Sequence, residues 1–515
     1  HRLPQRGGIG LGQRVLGRRH KPRGAVQVGV DRPRHKPRRP GPLHAATDSD
    51  APRPAGRGAR TVGLDALAPR SRWVRRARAA VGAPVRLQVA LGAVLLLAGG
   101  PAVAQDTTRG GQPGVSVRLT YEAGTRPGVI VLPVPGAGGD SVRAILQRDW
   151  EYGDRVVVIG GSAADVPLTA GRVNYDLVRR LGAAAVVQAT VTPAGQLHVA
   201  VHDVARRAVL QVRDFPLPGT ASDPAWRHAV HRAADEAERW ITGVRGIAAT
   251  RVLFVRERRV WMVDSDGENA RPLTERGALS PAWHPGAQAF VHSVLTDEGR
   301  QQIVARELDG GSRVLAGAPV TNITPVVSPD GATVVFAHGE ESGVDLFAVP
   351  FAGGGARRLT VGRGTDNMSP SFSPDGRRLA FASGRSGHPE VYITDADGTN
   401  AELLTQFAYG EQSYRSNPDW SPDGRLVAFQ SLVGGQFQVM TIGLRDRAVR
   451  RLTSEGRNED PSWAPDARHL VVTSTRTGQQ QLFVLDVETG RARQLTRGGG
   501  GARMPAWSPH PGGAP

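Results

Sequence analysis

The sequence has no cysteine among its 515 residues, and aromatic side chains make up only 5% of it. The absence of thiols excludes disulfides, cysteine-ligated zinc, iron–sulfur clusters, cysteine nucleophiles and a lipid anchor on an N-terminal cysteine. It leaves export open, because a chain without thiols tolerates an oxidising compartment. The length and the 39% of hydrophobic residues are typical of a globular protein with two or three domains.

Most of the chain is nearly neutral, and the positive charge is concentrated near its N-terminus. Residues 1–86 hold 21 basic and four acidic side chains, which accounts for almost all of the net charge of +18. The remainder is nearly neutral, so the composition does not predict nucleic-acid binding. Residues 1–73 are rich in Arg, Pro and Gly and lack an apolar period, and the first methionine is Met262. We expect residues 1–73 to be disordered or to belong to an over-extended reading frame.

No apolar run reaches the ~20 residues that a membrane-spanning helix needs. Residues 74–104 instead combine four arginines, an apolar stretch at 87–98 and the small-residue sequence Ala102-Val103-Ala104. This order of regions is that of a secretory signal peptide. We expect cleavage between Ala104 and Gln105, a flexible mature N-terminal segment at residues 105–127, and a periplasmic protein that is not embedded in the membrane.

From residue 250 onward a phrase of an apolar residue, Ser or Ala, Pro, Asp and Gly recurs in six copies, some of them incomplete. Its prolines are spaced by 44, 45, 48, 43 and 44 residues, and a second phrase, Leu-Thr in five of its copies, keeps the same register. Proline presets the first corner of a β-turn, Asp bonds its own backbone and Gly accepts the tight exit. The turn-motif residues are Pro285, Pro329, Asp330, Pro374, Asp375, Pro422, Asp423, Pro465, Asp466 and Pro509.

Each copy has the length of one four-stranded blade of a β-propeller, roughly 40–45 residues. The last phrase, at Trp507, has no strands after it, whereas residues 251–274 contain strands without a leading one. The two ends complement each other into one blade, which removes exposed sheet edges. The sequence therefore predicts an all-β six-bladed β-propeller of WD40-like (PD40) repeats over residues 250–515, closed by its N- and C-terminal strands.

Residues 128–246 have a different pattern, in which apolar strands alternate with helices. The clearest helix has Asp223 as its N-cap, Pro224 at its first position and an apolar stripe of period 3.6 that ends at Gly243. This pattern predicts a small α/β domain before the propeller. The short connection from Gly243 to Thr250 predicts a fixed arrangement of the two domains.

Signatures of catalysis and of cofactor binding are also missing. The chain has neither the G-x-S-x-G nucleophile elbow nor the H-E-x-x-H zinc motif. His198 and His202 share one face of an alternating strand and could bind zinc, but a solvated or partner-facing surface is the favoured interpretation. The pairs Asp264/Asp266 and Asp395/Asp397 resemble calcium ligands, yet D-x-D-G is a common hairpin turn. We therefore predict no catalytic, cofactor or metal site.

Two further sets of side chains have a structural and a functional interpretation. A large aromatic residue recurs at the same position in five of the six repeats, which favours packing between blades over a ligand cage. Arg385 and Arg415 in the loops are candidates for a protein-binding face. The recurring aromatic residues are Trp283, Phe372, Trp420, Trp463 and Trp507.

A signal peptide, a small α/β domain and a six-bladed propeller, in this order, resemble the TolB family of the bacterial Tol–Pal envelope system. The most specific match is at the domain junction. There, residues 231–236, Ile241-Thr242-Gly243 and Thr250-Arg251-Val252 are similar to the family's last helix, its L-T-G turn and the strand that opens its propeller.

The resemblance implies a periplasmic scaffold without catalytic activity that maintains outer-membrane integrity and constriction during cell division. Its implied partners are a Pal-like peptidoglycan-associated lipoprotein, bound through the propeller, and a TolA-like inner-membrane protein, bound through the mature N-terminal segment. The sequence does not identify the partner-binding residues. Two alternatives stay open: a solute- or glycan-binding propeller, and a non-catalytic propeller module related to prolyl-oligopeptidase-type peptidases.

Overall fold

The structure is a computed structural model, and it describes residues 125–160, 173–318, 320–340, 343–362, 365–407 and 413–512. The expected extension, the signal peptide with its cleavage positions Ala104 and Gln105, and almost all of the N-terminal segment lie outside the described residues.

The first part of the described chain is a five-stranded sheet with helices. The sheet has the order β2-β1-β3-β4-β5, in which β1 runs parallel to β2 and β3, while β3, β4 and β5 are antiparallel. The elements are β1 (Gly128–Val131), α1 (Gly139–Gly153), β2 (Val157–Val158), α2 (Tyr175–Arg180), β3 (Ala185–Val191), β4 (Gln196–Asp203), β5 (Ala208–Pro216) and α3 (Pro224–Thr242).

Helix α3 begins and ends where its sequence signals indicate. The Asp223 side chain accepts a hydrogen bond from the backbone N–H of Ala225 at 2.7 Å, and Gly243 takes a left-handed φ of 81° at the C-cap. A glycine accepts this conformation without a steric penalty. Helices α1 and α3 pack on one sheet face, where the Trp150 indole donates to the carbonyl oxygen of Ala234 at 3.1 Å. These contacts form the core of the α/β domain.

The propeller consists of six four-stranded antiparallel sheets, each of which is one blade. Five blades are continuous in sequence and run from β9 to β28, and the closing blade has the order β29-β6-β7-β8. The strands are β6 (Arg251–Arg256), β7 (Arg259–Asp264), β8 (Arg271–Pro272), β9 (Ala278–Trp283), β10 (Ala289–Leu295), β11 (Gln301–Glu307), β12 (Ser312–Ala318), β13 (Asn322–Val327), β14 (Thr333–Glu340), β15 (Gly343–Pro350), β16 (Arg357–Arg358), β17 (Asn367–Phe372), β18 (Arg378–Ser383), β19 (Glu390–Asp395), β20 (Glu402–Leu403), β21 (Arg415–Trp420), β22 (Leu426–Val433), β23 (Gln436–Gly443), β24 (Val449–Arg451), β25 (Asn458–Trp463), β26 (His469–Ser474), β27 (Gln481–Asp486), β28 (Ala492–Gln494) and β29 (Arg503–Trp507).

The ring is closed by the two ends of the propeller. Strand β29 pairs antiparallel with β6, so that Trp507 lies opposite Val252. The Trp507 indole also donates to the Thr250 hydroxyl at 2.8 Å, and the Ser508 N–H donates to the Arg251 carbonyl oxygen at 2.8 Å. The predicted six-bladed propeller, closed by its N- and C-terminal strands, is confirmed.

The propeller core repeats with the blades. The second strand of five blades carries one fully buried phenylalanine, and Val472 takes that place in the sixth. Each apolar cluster joins neighbouring blades, so the sheets are stacked side by side around the ring. Full burial of such a side chain contributes about 1.5–3 kcal/mol, and the repetition distributes this stabilisation around the ring. The five phenylalanines are Phe254, Phe290, Phe336, Phe381 and Phe429.

The recurring turn motif has a local hydrogen-bond network as its physical basis. The Ser373 hydroxyl donates to Asp375 Oδ1 at 2.6 Å and accepts from the Arg378 N–H at 2.9 Å. Gly376 then takes a left-handed φ of 71°. The hydrogen bond from Ser373 is the main cause of a lowered pKa of Asp375. The turns with Asp330 and Asp423 have the same arrangement.

Candidate functional site

The innermost strand of each blade contains a proline that follows a residue with left-handed backbone. The preceding residues have φ between 47° and 53°, although each is a non-glycine residue. The strand register shifts at this point in all six blades. A β-bulge of this kind redirects side chains, and a proline is accepted because the inner edge of the blade needs no backbone donor. The six dipeptides are Ser280-Pro281, Thr324-Pro325, Ser369-Pro370, Asn417-Pro418, Asp460-Pro461 and Met504-Pro505.

These dipeptides line a central cavity of about 460 Å³. Prolines and tryptophans make its wall partly apolar, whereas the left-handed positions contribute mostly polar side chains. Four turn-motif prolines, Pro285, Pro422, Pro465 and Pro509, belong to the same lining. The cavity is therefore wide, open to the turns, and suited to a segment of a partner molecule.

The other turn-motif residues have placements outside this lining. A Cβ atom on Gly376 would lie 3.6 Å from Pro329, and one on Gly424 would lie 3.4 Å from Pro374, so these two prolines contact the following turn. Asp330, Asp375 and Asp423 order their own turns by accepting backbone hydrogen bonds. Asp466 differs, because it also pairs with Arg155 of the α/β domain at 3.2 Å.

Side chains at the left-handed positions form a belt of hydrogen bonds between blades. The Ser369 hydroxyl donates to Asn417 Oδ1 at 3.0 Å, and Asn417 Nδ2 donates to Asp460 Oδ1 at 2.7 Å. On either side, the Ser369 N–H donates to the Thr324 hydroxyl at 3.2 Å and the Met504 N–H donates to Asp460 Oδ2 at 3.3 Å. The belt thus connects five consecutive inner strands and fixes the shape of the cavity.

Two carboxyl groups lie in the cavity wall. Burial within the ring raises the pKa of Asp419 to about 7, although hydrogen bonds from the Trp463 N–H at 2.7 Å and the Ser371 hydroxyl at 3.2 Å oppose the rise. Burial also raises the pKa of Asp460, and the neighbouring charge of Glu459 adds to the effect. Among the described residues that line the cavity, these are the ionisable side chains. The electrostatic character of the site is therefore weakly acidic.

The recurring tryptophans lie between blades, as the sequence predicts, and also reach the cavity. The indole of Trp283 donates to the carbonyl oxygen of Ala506 at 3.0 Å, and that of Trp463 donates to the carbonyl oxygen of Asp419 at 3.1 Å. Each bond joins a blade to its neighbour. The four tryptophans are only 4–8% exposed, so most of their area stabilises the ring rather than facing a ligand.

The two loop arginines that the sequence offers as partner contacts also contact their own blades, although Arg385 is exposed, and their role in a protein-binding face stays a prediction. The Arg385 guanidinium lies 4.9 Å from the ring centroid of Tyr392 and donates to Asn367 Oδ1 at 3.2 Å. Arg415 is 15% exposed and pairs with Glu390 at 3.1 Å. Both guanidinium groups thus order their blades.

The histidine and aspartate pairs of the sequence have separate partners. His198 pairs with Asp214 on the adjacent strand at 2.7 Å, whereas His202 contacts the Tyr175 hydroxyl at 2.9 Å. The turns that contain Asp264 and Asp395 have the expected glycine with left-handed φ at positions 267 and 398. Asp266 has an additional role at the domain interface.

The α/β domain meets the propeller through buried charges. Asp266, in the turn after β7, pairs with Arg148 of α1 at 2.5 Å and with Arg227 of α3. His231 of α3 lies 3.4 Å from the same carboxylate and 2.7 Å from Asp149. Although burial alone would raise the pKa of Asp266, the charge of His231 leads a set of interactions that lower it overall. These ion pairs connect the two domains.

A buried carboxyl group also holds the chain segment between the domains. Asp235 of α3 accepts hydrogen bonds from the N–H groups of Ala248 at 2.6 Å and Ala249 at 3.0 Å. Burial raises the pKa of Asp235 to about 7 against the effect of these two donors. A Cβ atom on Gly246 would lie 2.6 Å from Asp235 Oδ1, so this position requires a glycine.

Our sequence interpretation missed the belt and the interface charges. A signal for the belt is present, because a second proline stands four residues before every turn proline. The six inner prolines are Pro281, Pro325, Pro370, Pro418, Pro461 and Pro505. The interface charges have no such signal, since Asp266 and Arg148 are 118 residues apart.

No helix in the described part of the chain is both long and apolar enough to cross a membrane.

The family model described as the TolB beta propeller domain matches residues 238–511, which is more than half of the chain. The match begins near the end of α3 and includes all six blades.

The chain is similar to curated proteins named Tol-Pal system protein TolB. It is 30% identical over 227 residues to the protein of Thioalkalivibrio sulfidiphilus (strain HL-EbGR7). This alignment covers 40% of this chain and 50% of that protein. It is 28% identical over 253 residues to the protein of Gluconobacter oxydans (strain 621H). This alignment covers 47% of this chain and 54% of that protein. The chain thus spans about half the length of the curated relatives it matches.

The fold is also that of a solved structure, the crystal structure of TolB from Acinetobacter baumannii. The TM-score is 0.65 at 22% sequence identity, over 75% of this chain and 97% of that chain. At this identity the likeness concerns the fold. Together with the family match over all six blades, the closed ring with its repeated turns leads to one conclusion: this chain belongs to the TolB beta propeller family.

Proposed function

We propose that the chain is a periplasmic protein-binding scaffold of the Tol–Pal system, which helps to maintain outer-membrane integrity and constriction during cell division. Membership of the TolB beta propeller family over residues 238–511 is the observation that carries this proposal. In this proposal, the expected signal peptide at residues 74–104 directs the export of the chain to the periplasm.

The character of the cavity supports binding rather than catalysis. Among its described lining residues, the ionisable groups are Asp419 and Asp460, and both accept hydrogen bonds from within the ring. General acid–base catalysis needs a titratable group within hydrogen-bond reach of the substrate, and nucleophilic catalysis needs a nucleophile beside a base. Here the carboxyl groups order the wall of the cavity. The proposal is therefore an interaction protein that is not an enzyme.

A preorganised cavity suits a docking partner. The belt and the inner prolines fix the backbone before binding, so little conformational entropy is lost at the interface. The proposed partner at this cavity is a Pal-like peptidoglycan-associated lipoprotein, which would insert a loop between the apolar prolines and the weakly acidic belt.

The second proposed partner is a TolA-like inner-membrane protein. Its binding segment, from Gln105 to about Tyr121, lies outside the described residues. An exchange between the two partners requires that each one binds two states of the scaffold with unequal affinity.

Isothermal titration calorimetry of the purified chain with the soluble domain of the Pal-like lipoprotein from the same genome tests the proposal. We expect one-to-one binding. The substitution Ser280→Arg places a long charged side chain in the cavity and should weaken the affinity at least tenfold. Val314→Arg, on the exposed outer strand β12, is the matched control and should leave the affinity unchanged.

Three outcomes would contradict the proposal or a part of it. Failure to bind the lipoprotein, both in calorimetry and in a pull-down from envelope extract, would refute the scaffold function. Equal loss of affinity in both arginine variants would show that the docking surface does not lie at the cavity. Clean recovery of only a saccharide or a peptide would favour the solute- or glycan-binding alternative.

A further inference from the structure

Three side chains with metal-ligating atoms meet at the boundary between the α/β domain and the fifth sequence-continuous blade. Asp154 is the C-cap of α1, His469 is the first residue of β26 and Asp486 is the last residue of β27. One ligand atom from each lies within 4.8 Å of the others, and all three residues are buried. They line a partly open pocket of about 70 Å³. The three residues come from two domains and are brought together by the fold alone.

His469 has one ring nitrogen with a partner and one without. Its Nδ1 lies 2.8 Å from Asp466 Oδ2, whereas its Nε2 is buried without a hydrogen-bond partner among the described residues. The carboxylate of Asp466 places the proton on Nδ1, which leaves the lone pair of Nε2 available. Metal-binding histidines are held in this way, with the second nitrogen donating to a carboxylate or a carbonyl group. A buried imidazole that is 1% exposed would otherwise lose a hydrogen bond without compensation.

The two carboxylates keep lone pairs for a ligand. Asp154 Oδ1 accepts from Arg126 at 3.3 Å and from Arg491, while no residue in the described part of the chain donates to Oδ2. Asp486 Oδ1 accepts from Arg468 at 3.1 Å and from the N–H groups of Glu488 at 2.8 Å and Thr489 at 3.3 Å, whereas its Oδ2 accepts from Arg468 at 2.6 Å. Each carboxylate oxygen offers two lone-pair directions, so a metal ion would bind Asp486 through the second lone pair of Oδ2. Because 63% of the Arg491 side chain is exposed, this guanidinium can turn outward when another cation binds Asp154.

We propose that Asp154, His469 and Asp486 bind one divalent transition-metal ion, with Zn²⁺ as the best match, and that the ion joins the α/β domain to the propeller. One imidazole nitrogen and two carboxylate oxygens are ligands that Zn²⁺ accepts, with a water molecule as the fourth. Metal–ligand bonds of roughly 2.0–2.2 Å place tetrahedral ligand atoms about 3.3 Å apart, so the three groups close by a small inward movement. A cavity of this volume holds an ion together with one water molecule, whose share of liquid volume is about 30 Å³. This inference does not depend on the proposed partner binding.

Titration of the metal-free full-length chain with ZnCl₂, followed by calorimetry and by the thermal unfolding midpoint, tests the site. The substitution His469→Asn removes the Nε2 ligand and keeps a donor near Asp466. We expect the variant to bind one equivalent less Zn²⁺ than the wild type and to lose most of the rise in the unfolding midpoint. His198→Asn is the matched control, because His198 also pairs with a carboxylate but has a side chain that is 45% exposed.

A second variant keeps the test decisive if His469→Asn fails to fold. Asp154→Asn removes a charged ligand at the end of a helix and should give the same loss of one equivalent. Co²⁺ in place of Zn²⁺ should produce visible absorption of a four-coordinate ion in the wild type and a clearly weaker signal in Asp154→Asn. Equal Zn²⁺ stoichiometry and equal stabilisation in the wild type and both variants would overturn the proposal, as would binding that only His198→Asn abolishes.

Discussion

The central cavity and the domain interface both contain recessed polar side chains, but they satisfy them in different ways. Around the cavity, Ser369, Asn417 and Asp460 form neutral or singly charged hydrogen bonds from blade to blade. At the interface, Asp266 and Asp466 face arginine and histidine side chains. The first arrangement repeats with the blades, whereas the second occurs at one place in the ring.

One aspartate in the cavity wall and two aspartates at the interface have pKa values that are shifted in opposite directions. Burial raises the pKa of Asp419 in the cavity wall, because few positive charges are near it. At the interface, burial opposes but does not prevent lowered pKa values of Asp266 and Asp466, since cationic partners stabilise the carboxylates. Hydrogen bonds thus hold Asp419 in the ring of like strands, whereas charge holds Asp266 and Asp466 between the domains. Asp235 at the junction resembles Asp419, because it accepts backbone hydrogen bonds and burial raises its pKa to about 7.

The largest expected effect comes from breaking the interface. Asp266→Ala leaves Arg148, Arg227 and His231 without their shared carboxylate, and loss of one partner from a buried ion pair costs about 3–5 kcal/mol. We expect a corresponding fall in the free energy of unfolding, measured by urea denaturation. Asp297→Ala, in an exposed turn, is the control and should change the free energy by less than about 0.5 kcal/mol. A similar small effect for Asp266→Ala would mean that the interface charges contribute nothing.

The pH dependence of Asp419 sharpens the contrast between the regions. Its folded pKa of about 7 exceeds the unfolded value of about 3.9, so the folded state binds more protons between these limits. The contribution of this group to stability is fully present below pH 4 and is lost as the pH rises through 7. We expect a loss of about 1–2 kcal/mol over this window, less than the full shift implies because cavity water solvates part of the carboxylate.

Comparison of stability between pH 4 and pH 8 in the wild type and in Asp419→Asn measures this contribution. Asparagine can accept from the Trp463 N–H and donate to Ser371, but it does not titrate. The variant should have a flatter profile than the wild type. Identical slopes in the two proteins would show that Asp419 does not change its protonation state in this range.

The belt should have a smaller effect than the interface. Asn417→Ala removes the hydrogen bonds to Ser369 and Asp460 and leaves their polar atoms facing the cavity, at a cost of about 1–3 kcal/mol. Water in the cavity can replace part of the loss, so we expect the lower end of this range. Thermal unfolding monitored by circular dichroism gives the change. Asn269→Ala, which removes one bond to Asp264 in an outer turn, is a suitable comparison.

The smallest effect concerns the turn that supplies Asp466 to the interface. Ala467 takes a φ of 55° where three other turns have glycine. Ala467→Gly relieves a left-handed alanine and should stabilise the chain by about 0.5–1 kcal/mol, while Gly424→Ala, at a φ of 72°, should destabilise it by a similar amount. Unfolding midpoints of the two variants that move in the same direction would contradict this account of the turns.

The repeated elements were accessible to sequence reasoning because each one is specified locally. The Ser373-Pro374-Asp375-Gly376 turn contains its own donors, acceptors and backbone preference, so its residues predict its structure. The left-handed residue before Pro370 was missed, although the second proline recurs in all six blades. Polar residues with φ above zero before a proline are uncommon, and propensity arguments do not anticipate them.

The loop arginines show that exposure and internal contacts are compatible. Arg385 is exposed, as its Gly- and Ser-rich loop indicates, and its guanidinium also stacks on Tyr392 within the same blade. Long cationic side chains cover apolar surface while their charged heads stay accessible to water, so their internal contacts cannot be inferred from residue type.

The number of blades, the place where the ring closes and the position of each recurring turn follow from the sequence by itself, because each depends on a short repeat whose spacing equals one sheet. Tertiary structure alone decided which distant side chains meet. Asp266 reaches Arg148 and Arg227, and Asp154 reaches His469 and Asp486, only because helix packing places the α/β domain against the closed ring. Contacts between chain segments that are hundreds of residues apart leave no local period, and their chemistry appears only after both domains have folded.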